Sequence, residues 1–173
     1  MTLILCGHQG AGKSTIGELL AKQRQQPWID TDTLLKETLG CPLDQRLSDT
    51  HKRLGDETFR ELERQTILNL NPREHCIISI GGGSLKHDDA LAHLKQLGHI
   101  IYLKRPIHST KEHLLAKPVY WVQAMNESGE LGNWLCDRDL RYTEAAHVSI
   151  EIDELTLDEC VNRCFHYGES HGQ

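Results

Sequence analysis

Short, continuous apolar runs alternate along this chain with longer segments in which apolar residues recur every three or four positions. The short runs are typical of strands buried in a parallel sheet, and the spaced segments are typical of helices that pack against it. The predicted strands cover residues 3–5, 27–30, 76–80, 100–103 and 148–152. The predicted helices cover residues 15–22, 33–39, 56–70, 88–97, 107–116 and 157–167, with one more around Arg138 and Arg141. This alternation predicts an α/β fold with a parallel sheet.

Two segments follow neither period. Residues 41–54 are mixed in character, and in residues 117–135 the helical spacing fails around Pro118, Gly129 and Gly132. Turn-forming residues at this density predict that residues 117–135 form a long, mobile excursion from the sheet.

The residues from Gly7 to Thr15 read G-H-Q-G-A-G-K-S-T and fit the phosphate-loop pattern G-x-x-x-x-G-K-[ST]. Glycines let the backbone point its N–H groups at phosphate oxygens, and the following helix adds the positive end of its dipole. Lys13 is a cation for the β- and γ-phosphates, and the Ser14 hydroxyl is a ligand for Mg²⁺. A glycine turn that matches by chance is the alternative, but the flanking strand and helix favour nucleotide binding. The predicted nucleotide-binding residues in this loop are Gly10, Ala11, Gly12, Lys13, Ser14 and Thr15.

The length of the chain favours a single domain over residues 1–173. The formal net charge is −6, from 19 basic and 25 acidic residues, so nonspecific binding to nucleic acid or to anionic membranes is not expected. The sequence shows neither a signal peptide nor an apolar run long enough to cross a bilayer, which predicts a cytoplasmic protein. The six cysteines do not suggest a disulfide framework.

Two further elements are predicted to face the phosphate loop, because ligands of parallel sheets bind where the strands end. Asp30 and Asp32 follow the second strand; one carboxylate would hold a metal through water, and the other would accept or orient a hydroxyl proton. Gly81–Gly83 follows the third strand, where backbone without side chains admits a ligand closely. The alternatives are that Asp32 or Thr31 caps a helix and that the glycines form a loose turn.

A third element is the pair Arg60 and Glu63, which lie one helical turn apart. A carboxylate at this spacing can hold a guanidinium in place. Taken alone, such a pair is more typical of a solvated surface, and the same holds for Arg138 on its own helix.

Taken together and in this order, these elements resemble the shikimate kinase family. The resemblance rests on five motifs that span most of the chain, of which the phosphate loop is shared by many kinases. The other four are D-x-D at residues 30–32, F-R-x-x-E at 59–63, S-x-G-G-G at 79–83 and R-x-x-x-Y at 138–142.

The resemblance implies a three-layer P-loop kinase fold with a five-stranded parallel sheet, helices on both faces, a substrate-binding helix at about 56–70 and a lid at about 116–135. It implies transfer of the ATP γ-phosphate to the 3-hydroxyl of shikimate, with Mg²⁺ as cofactor, in chorismate and aromatic amino acid biosynthesis. We expect shikimate and ATP as the binding partners, and a monomer.

The same resemblance implies roles on the acceptor side. Asp32 would hold the substrate hydroxyls and act as a base or an orienting group. Arg60 and Arg138 would bind the substrate carboxylate, since the planar guanidinium fork matches two oxygens. Gly82 would donate a backbone N–H.

On the nucleotide side, Lys13 would stabilise charge on the transferring phosphoryl group. Ser14 would ligate Mg²⁺ directly and Asp30 through water. The chain departs from the family pattern where the lid begins, since R-P-L-L is replaced by K-P-V-Y at residues 117–120. Lys117 keeps the charge but lacks the fork, and we predict that it contacts the nucleotide or a phosphate.

Two other functions remain open at this point. A kinase for another small polyol acid, such as gluconate, would share the phosphate loop, but the triple glycine and the two arginines argue against it. A nucleotide-binding module that no longer catalyses would explain the altered lid, but intact Lys13, Ser14 and Asp32 argue against that.

Overall fold

The computed structural model describes residues 1–171. Its sheet contains β1 (Leu3–Cys6), β2 (Trp28–Asp30), β3 (Ile77–Ser79), β4 (His99–Lys104) and β5 (Val148–Glu151). The first six helices are α1 (Lys13–Arg24), α2 (Thr31–Thr38), α3 (Leu47–Leu54), α4 (Asp56–Leu68), α5 (Asp88–Leu97) and α6 (Ile107–Ala116). They are followed by α7 (Tyr120–Glu127), α8 (Leu131–Ala145) and α9 (Leu157–Ser170).

All neighbouring strands run parallel, in the order β2-β3-β1-β4-β5. β1 lies at the centre, where Leu3 pairs with Ile77 of β3 on one side and with His99 of β4 on the other. Because parallel neighbours cannot be joined by a tight turn, helices cross over between successive strands. The carboxyl ends of all five strands therefore meet at one edge of the sheet.

Alternate residues of β1 face opposite sides of the sheet, as the pleat of a strand requires. Leu3 and Leu5 pack in one apolar cluster, whereas Ile4 and Cys6 pack in another. The first cluster is closed by residues of α1 and α9, and the second by residues of α4, α5 and α8. Helices thus cover both faces, which confirms the predicted three-layer α/β fold with a five-stranded parallel sheet.

Most element boundaries also follow the sequence pattern. All five predicted strands are present, and the predicted helices at 88–97 and 107–116 coincide with α5 and α6. The segment 41–54, which has no clear period, contains α3.

Residues 117–135, where the helical spacing fails in the sequence and no helix is predicted, are largely helical. This segment contains α7 and the first turn of α8. Its helices are stabilised by an apolar cluster of their own, in which Val122, Leu131 and Leu135 pack against Leu114 of α6. Burial between neighbouring helices outweighs the weak helix propensity of the glycines and asparagines there.

Among residues 1–171, no helix is both long enough and apolar enough to cross a membrane.

Candidate active site

A cavity of about 620 Å³ opens where β1, β2 and β3 end. It is lined by side chains or backbone from the phosphate loop, from the start of α2, from α3, α4 and α8, and from the lid. The predicted site residues that line it are Gly10, Gly12, Lys13, Ser14, Thr15, Asp30, Asp32, Arg60, Gly82, Lys117 and Arg138. Residues that are distant in sequence therefore meet in one space at the edge predicted for ligand binding.

The phosphate loop turns through backbone conformations that favour glycine. Gly7, Gly10 and Gly12 have φ angles of 145°, 81° and 79°. Ala11 is the one predicted nucleotide-binding residue that does not line the cavity; its side chain is buried in the core and its N–H donates to the His8 carbonyl at 3.2 Å. The side chain at this position therefore anchors the loop to the sheet.

Lys13 lies at the start of α1, and its Nζ donates to the carbonyls of Gly7 and His8, each at 2.9 Å. Burial lowers the pKa of Lys13, while the charge of Asp32 acts in the opposite direction. The first turn of α1 contains no acidic residue, so the positive end of its dipole faces the cavity without a competing carboxylate. This geometry suits a phosphate group.

Asp30 uses its two carboxylate oxygens for different tasks. Oδ1 caps α2 by accepting from the N–H groups of Asp32 and Thr33, at 3.0 and 3.1 Å. Oδ2 accepts from the Ser14 hydroxyl at 2.6 Å. The capping role considered above for Asp32 or Thr31 therefore belongs to Asp30, and the Asp32 side chain faces the cavity.

The Asp32 side chain lines the cavity and is exposed to solvent there. The surrounding protein raises the pKa of Asp32 to about 6 by removing much of its hydration; Lys13 opposes this rise, and the nearby carboxylates of Asp30 and Glu63 add to it. Gly81 lies directly beneath, because a Cβ added there would be 2.6 Å from Asp32 Oδ1. A carboxyl that titrates near neutrality is suited to proton transfer.

Arg60 is held by carboxylates on its own helix. Its Nη1 donates to Glu63 Oε2 at 2.6 Å, and its Nε donates to Asp56 Oδ1 at 3.1 Å. Glu63 is only 8% exposed, so this pair is a buried contact and not the solvated surface pair that its spacing alone suggests. Gly83 is required for the arrangement, because a Cβ at that position would overlap the Arg60 guanidinium.

Arg138 reaches the same cavity from α8. Its Nη1 donates to the Gly82 carbonyl, and its guanidinium lies over the Trp134 ring, 4.2 Å from the ring centroid. The Tyr142 hydroxyl donates to the same carbonyl at 2.6 Å. The carbonyl of Gly82 is thus fixed by two donors, which sets the orientation of the glycine loop relative to α8.

Several residues of the site carry no signal in the sequence. His8 is 3% exposed and packs edge-on against Tyr142, with ring centroids 5.0 Å apart. The His113 ring lies so close to Gly10 that a Cβ there would overlap it. Isolated histidines have no diagnostic spacing, so these contacts become visible only when the fold brings them together.

Comparison with known proteins agrees with this geometry. A sequence model of the shikimate kinase family matches residues 9–167. The shikimate kinase of Chlorobium chlorochromatii is 31% identical over 168 residues, which cover 92% of this chain and 86% of that protein. The shikimate kinase of Pseudomonas aeruginosa is 32% identical over 172 residues, which cover 94% of this chain and 95% of that protein.

Solved structures give the same picture. The structure of shikimate kinase from Acinetobacter baumannii in complex with shikimate matches with a TM-score of 0.82 and 25% identity, covering 98% of this chain and 93% of that one. A gluconokinase from Sinorhizobium meliloti matches with a TM-score of 0.55 and 17% identity, covering 98% and 97%, which shows a shared fold. With the family match over residues 9–167, this chain belongs to the shikimate kinase family.

Proposed function

We propose that this chain transfers the γ-phosphoryl group of ATP to the 3-hydroxyl of shikimate, which yields shikimate 3-phosphate and ADP in the biosynthesis of aromatic amino acids. The observation that carries the proposal is that Arg60 and Arg138, from separate helices, line the same cavity as Lys13 and Asp32. Two guanidiniums and one carboxylate suit an acceptor that has a carboxylate and several hydroxyls.

The phosphate loop binds the triphosphate. Its backbone N–H groups and the start of α1 hold phosphate oxygens, and Lys13 stabilises the charge that develops on the transferring group. Lys117, exposed at the end of α6 and lining the cavity, adds a cation from the lid side. Lysine acts here as a point charge, without the two-pronged contact that arginine makes.

The acceptor lies between Arg60, Arg138 and Asp32. The two guanidiniums bind its carboxylate, and the N–H of Gly82 supports it from the glycine loop. During transfer, the bond from the γ-phosphorus to the bridging oxygen breaks, and a bond from the acceptor oxygen to that phosphorus forms. Asp32 accepts the hydroxyl proton, and a carboxyl with a pKa of about 6 is ionised at neutral pH and able to do so.

Ser14 and Asp30 are the residues that would hold Mg²⁺. Their oxygens lie 2.6 Å apart beside the phosphate loop, and hydroxyl and carboxylate oxygens are the ligands that this cation prefers. Bound with ATP, Mg²⁺ would neutralise charge on the β- and γ-phosphates. The capping contacts of Asp30 Oδ1 leave Oδ2 free to face the Ser14 side.

All of these residues belong to one chain, so the proposed reaction needs no second copy and we propose a monomer. Sedimentation at the concentrations used for the assay checks this part. A dimer whose dissociation abolishes turnover would contradict it.

The proposed activity is tested by ADP release with ATP and Mg²⁺, with shikimate and gluconate offered separately. We expect ADP to form with shikimate and not with gluconate. If ADP forms with gluconate but not with shikimate, the acceptor is gluconate and the proposed acceptor is wrong. Tight ATP binding without any acceptor-dependent ADP release would instead indicate a nucleotide-binding module.

A further inference from the structure

A network of side-chain hydrogen bonds connects the lid to Arg60 on the acceptor side of the cavity. The Tyr120 hydroxyl, at the start of α7, lies 3.2 Å from Nδ1 of His51 on α3. Nε2 of His51 lies 2.9 Å from Oδ1 of Asp56. The same Oδ1 accepts from Nε of Arg60 at 3.1 Å. Four side chains from three helices therefore form one continuous path.

The partners of His51 assign its tautomer. A carboxylate only accepts, so in the neutral imidazole Nε2 carries the proton and donates to Asp56, and Nδ1 accepts from the Tyr120 hydroxyl. Both ring nitrogens are then satisfied in a side chain that is 7% exposed. The imidazole also packs against the Phe59 ring, with centroids 4.7 Å apart. Packing on one face and hydrogen bonds at both nitrogens fix its orientation.

Tyr120 is held on the other side as well. Its ring centroid is 5.8 Å from that of His51, and the Lys52 ammonium lies 5.7 Å from its ring centroid. Tyr120 itself remains 39% exposed. Two residues of α3 therefore hold a partly exposed tyrosine of the lid.

Asp56 connects His51 to Arg60 in this network. Partial burial acts to raise the pKa of its carboxyl, but the hydrogen bond from His51 and the charges of Arg60 and Lys86 together hold it below the usual value. The carboxylate is thus ionised in the physiological range. It fixes one side of the Arg60 guanidinium, while Glu63 fixes the other.

We propose that Tyr120 and His51 are positioning residues that couple the lid to Arg60 through Asp56. Docking of the Tyr120 hydroxyl holds His51, which holds the carboxylate that aims the guanidinium at the acceptor. The coupling is reciprocal, so an acceptor bound to Arg60 also favours the docked lid. This inference rests on the proposed function, because it assigns Arg60 to the acceptor carboxylate.

The test is a double-mutant cycle with Tyr120→Phe and Asp56→Asn, read out as KM for shikimate, KM for ATP and kcat. Tyr120→Phe keeps the ring and removes only the hydroxyl. We expect it to raise KM for shikimate about three- to tenfold, as for one lost hydrogen bond, with KM for ATP changed less than about twofold. In the double variant, the rise in KM for shikimate should be clearly smaller than the product of the rises in the two single variants, because both substitutions act through Arg60.

The matched control is Tyr167→Phe. The Tyr167 hydroxyl on α9 lies 2.9 Å from Nδ1 of His99 on β4, so the contact is again between a tyrosine hydroxyl and a histidine nitrogen. Neither residue lines the cavity. The control variant should leave all three constants unchanged. The proposal is overturned if Tyr120→Phe behaves like Tyr167→Phe, if KM for ATP rises in parallel, or if the effects of Tyr120→Phe and Asp56→Asn multiply.

A second readout does not depend on turnover. In ¹⁵N-histidine spectra of the free protein, the Nδ1 resonance of His51, assigned with His51→Phe, should shift in Tyr120→Phe and remain in place in Tyr167→Phe. An unchanged resonance contradicts the contact itself. If the wild-type protein does not phosphorylate shikimate, the proposed function fails, whereas a shifted resonance would still establish the contact between the lid and α3.

Discussion

Arg60 and Glu63 are joined by a 2.6 Å hydrogen bond across one turn of α4, and the Glu63 carboxylate is 8% exposed. In such an environment a charge without its partner is costly, so the pair fixes the direction of the guanidinium. The backbone of Gly83 packs directly against both side chains. The acceptor side of the site is therefore built around this ion pair.

Removal of the guanidinium should weaken acceptor binding. We expect Arg60→Ala to reduce the affinity for shikimate by about 2–5 kcal/mol, because the acceptor carboxylate loses its charged partner. ATP affinity should change little. Titration calorimetry with each ligand measures both.

Arg64→Ala is the matched control, since Arg64 lies one turn further along α4 and pairs with Glu61 and Asp89 at the surface. It should leave both affinities unchanged. If Arg60→Ala loses affinity for ATP and keeps its affinity for shikimate, Arg60 binds the nucleotide and its assignment to the acceptor is wrong.

Gly83→Ala should have a similar effect without touching a charged residue. The added methyl group would overlap the Arg60 guanidinium and lie 2.5 Å from Glu63 Oε2, so the pair must shift. We expect a rise in KM for shikimate of roughly tenfold or more, with the fold retained. Gly132→Ala serves for comparison, because a Cβ at that position meets no atom within 4 Å. Equal kinetics for the two variants would show that Gly83 does not position the pair.

Asp32→Asn should nearly abolish turnover and leave ATP binding intact. The pKa of Asp32 is raised to about 6, above the value of 3.8 for an ordinary aspartate. The folded protein therefore binds this proton more tightly than the unfolded chain, and stability is lost as the pH rises from about 4 to above 6. Asp32→Asn should consequently unfold at a higher temperature than the wild type at pH 7.5, and the difference should vanish near pH 4.

Two measurements check this prediction: thermal unfolding at both pH values, and ¹³C-carboxyl titration of the free protein. Asp137→Asn, an exposed position on α8, is the control for stability. An Asp32 resonance that titrates near pH 4, or a variant that retains full turnover, would remove Asp32 from the proposed chemistry.

His8 should limit stability in mild acid. Its buried ring nitrogens have no hydrogen-bond partner among the described residues. Burial and, to a lesser extent, the charge of Arg138 lower the pKa of His8 to about 4. The unfolded chain takes up this proton near pH 6.5, so stability falls between pH 6.5 and 4, by on the order of 3 kcal/mol.

His8→Phe keeps a ring against Tyr142 and removes the titration. We expect its advantage in the free energy of unfolding over the wild type to grow as the pH falls from 7.5 to 4.5, measured by urea denaturation. His166→Gln, at an exposed position, should show no such growth. Parallel pH profiles for His8→Phe and the wild type would contradict the assignment.

Much of the site is encoded by local patterns that the sequence displays directly. The phosphate loop, the carboxylates at the end of β2 and the glycines after β3 all stand at strand ends, and the carboxyl ends of parallel strands lie at one edge of the sheet. α5 and α6 are predicted to the residue because their apolar positions keep one helical period and face the sheet or the neighbouring helices.

The lid could not be predicted in the same way. α7 is only eight residues long and has a single buried residue, Val122, and the first turn of α8 contains Gly132 and Asn133, which are poor helix formers. Their stability comes from contacts with one another, such as the packing of Trp121 against Trp134 at 4.9 Å between ring centroids. Contacts between distant residues leave no periodic signal.

The burial of Glu63 likewise could not be predicted from the sequence. Its spacing from Arg60 is that of an ordinary surface pair, but in the fold Gly81 and Gly83 pack against its carboxylate and the residue is buried. His51 and Tyr120 are 69 positions apart, and nothing in either segment indicates that they meet.

We expect this cavity to direct the γ-phosphoryl group of ATP to the 3-hydroxyl of shikimate alone. This expectation is tested most directly by the ³¹P–¹H correlation spectrum of the product formed from ATP, Mg²⁺ and shikimate. We expect a phosphorus coupled to the proton on carbon 3, with one ADP formed for each product molecule. Phosphorus on another hydroxyl, or inorganic phosphate as the only product besides ADP, would contradict it.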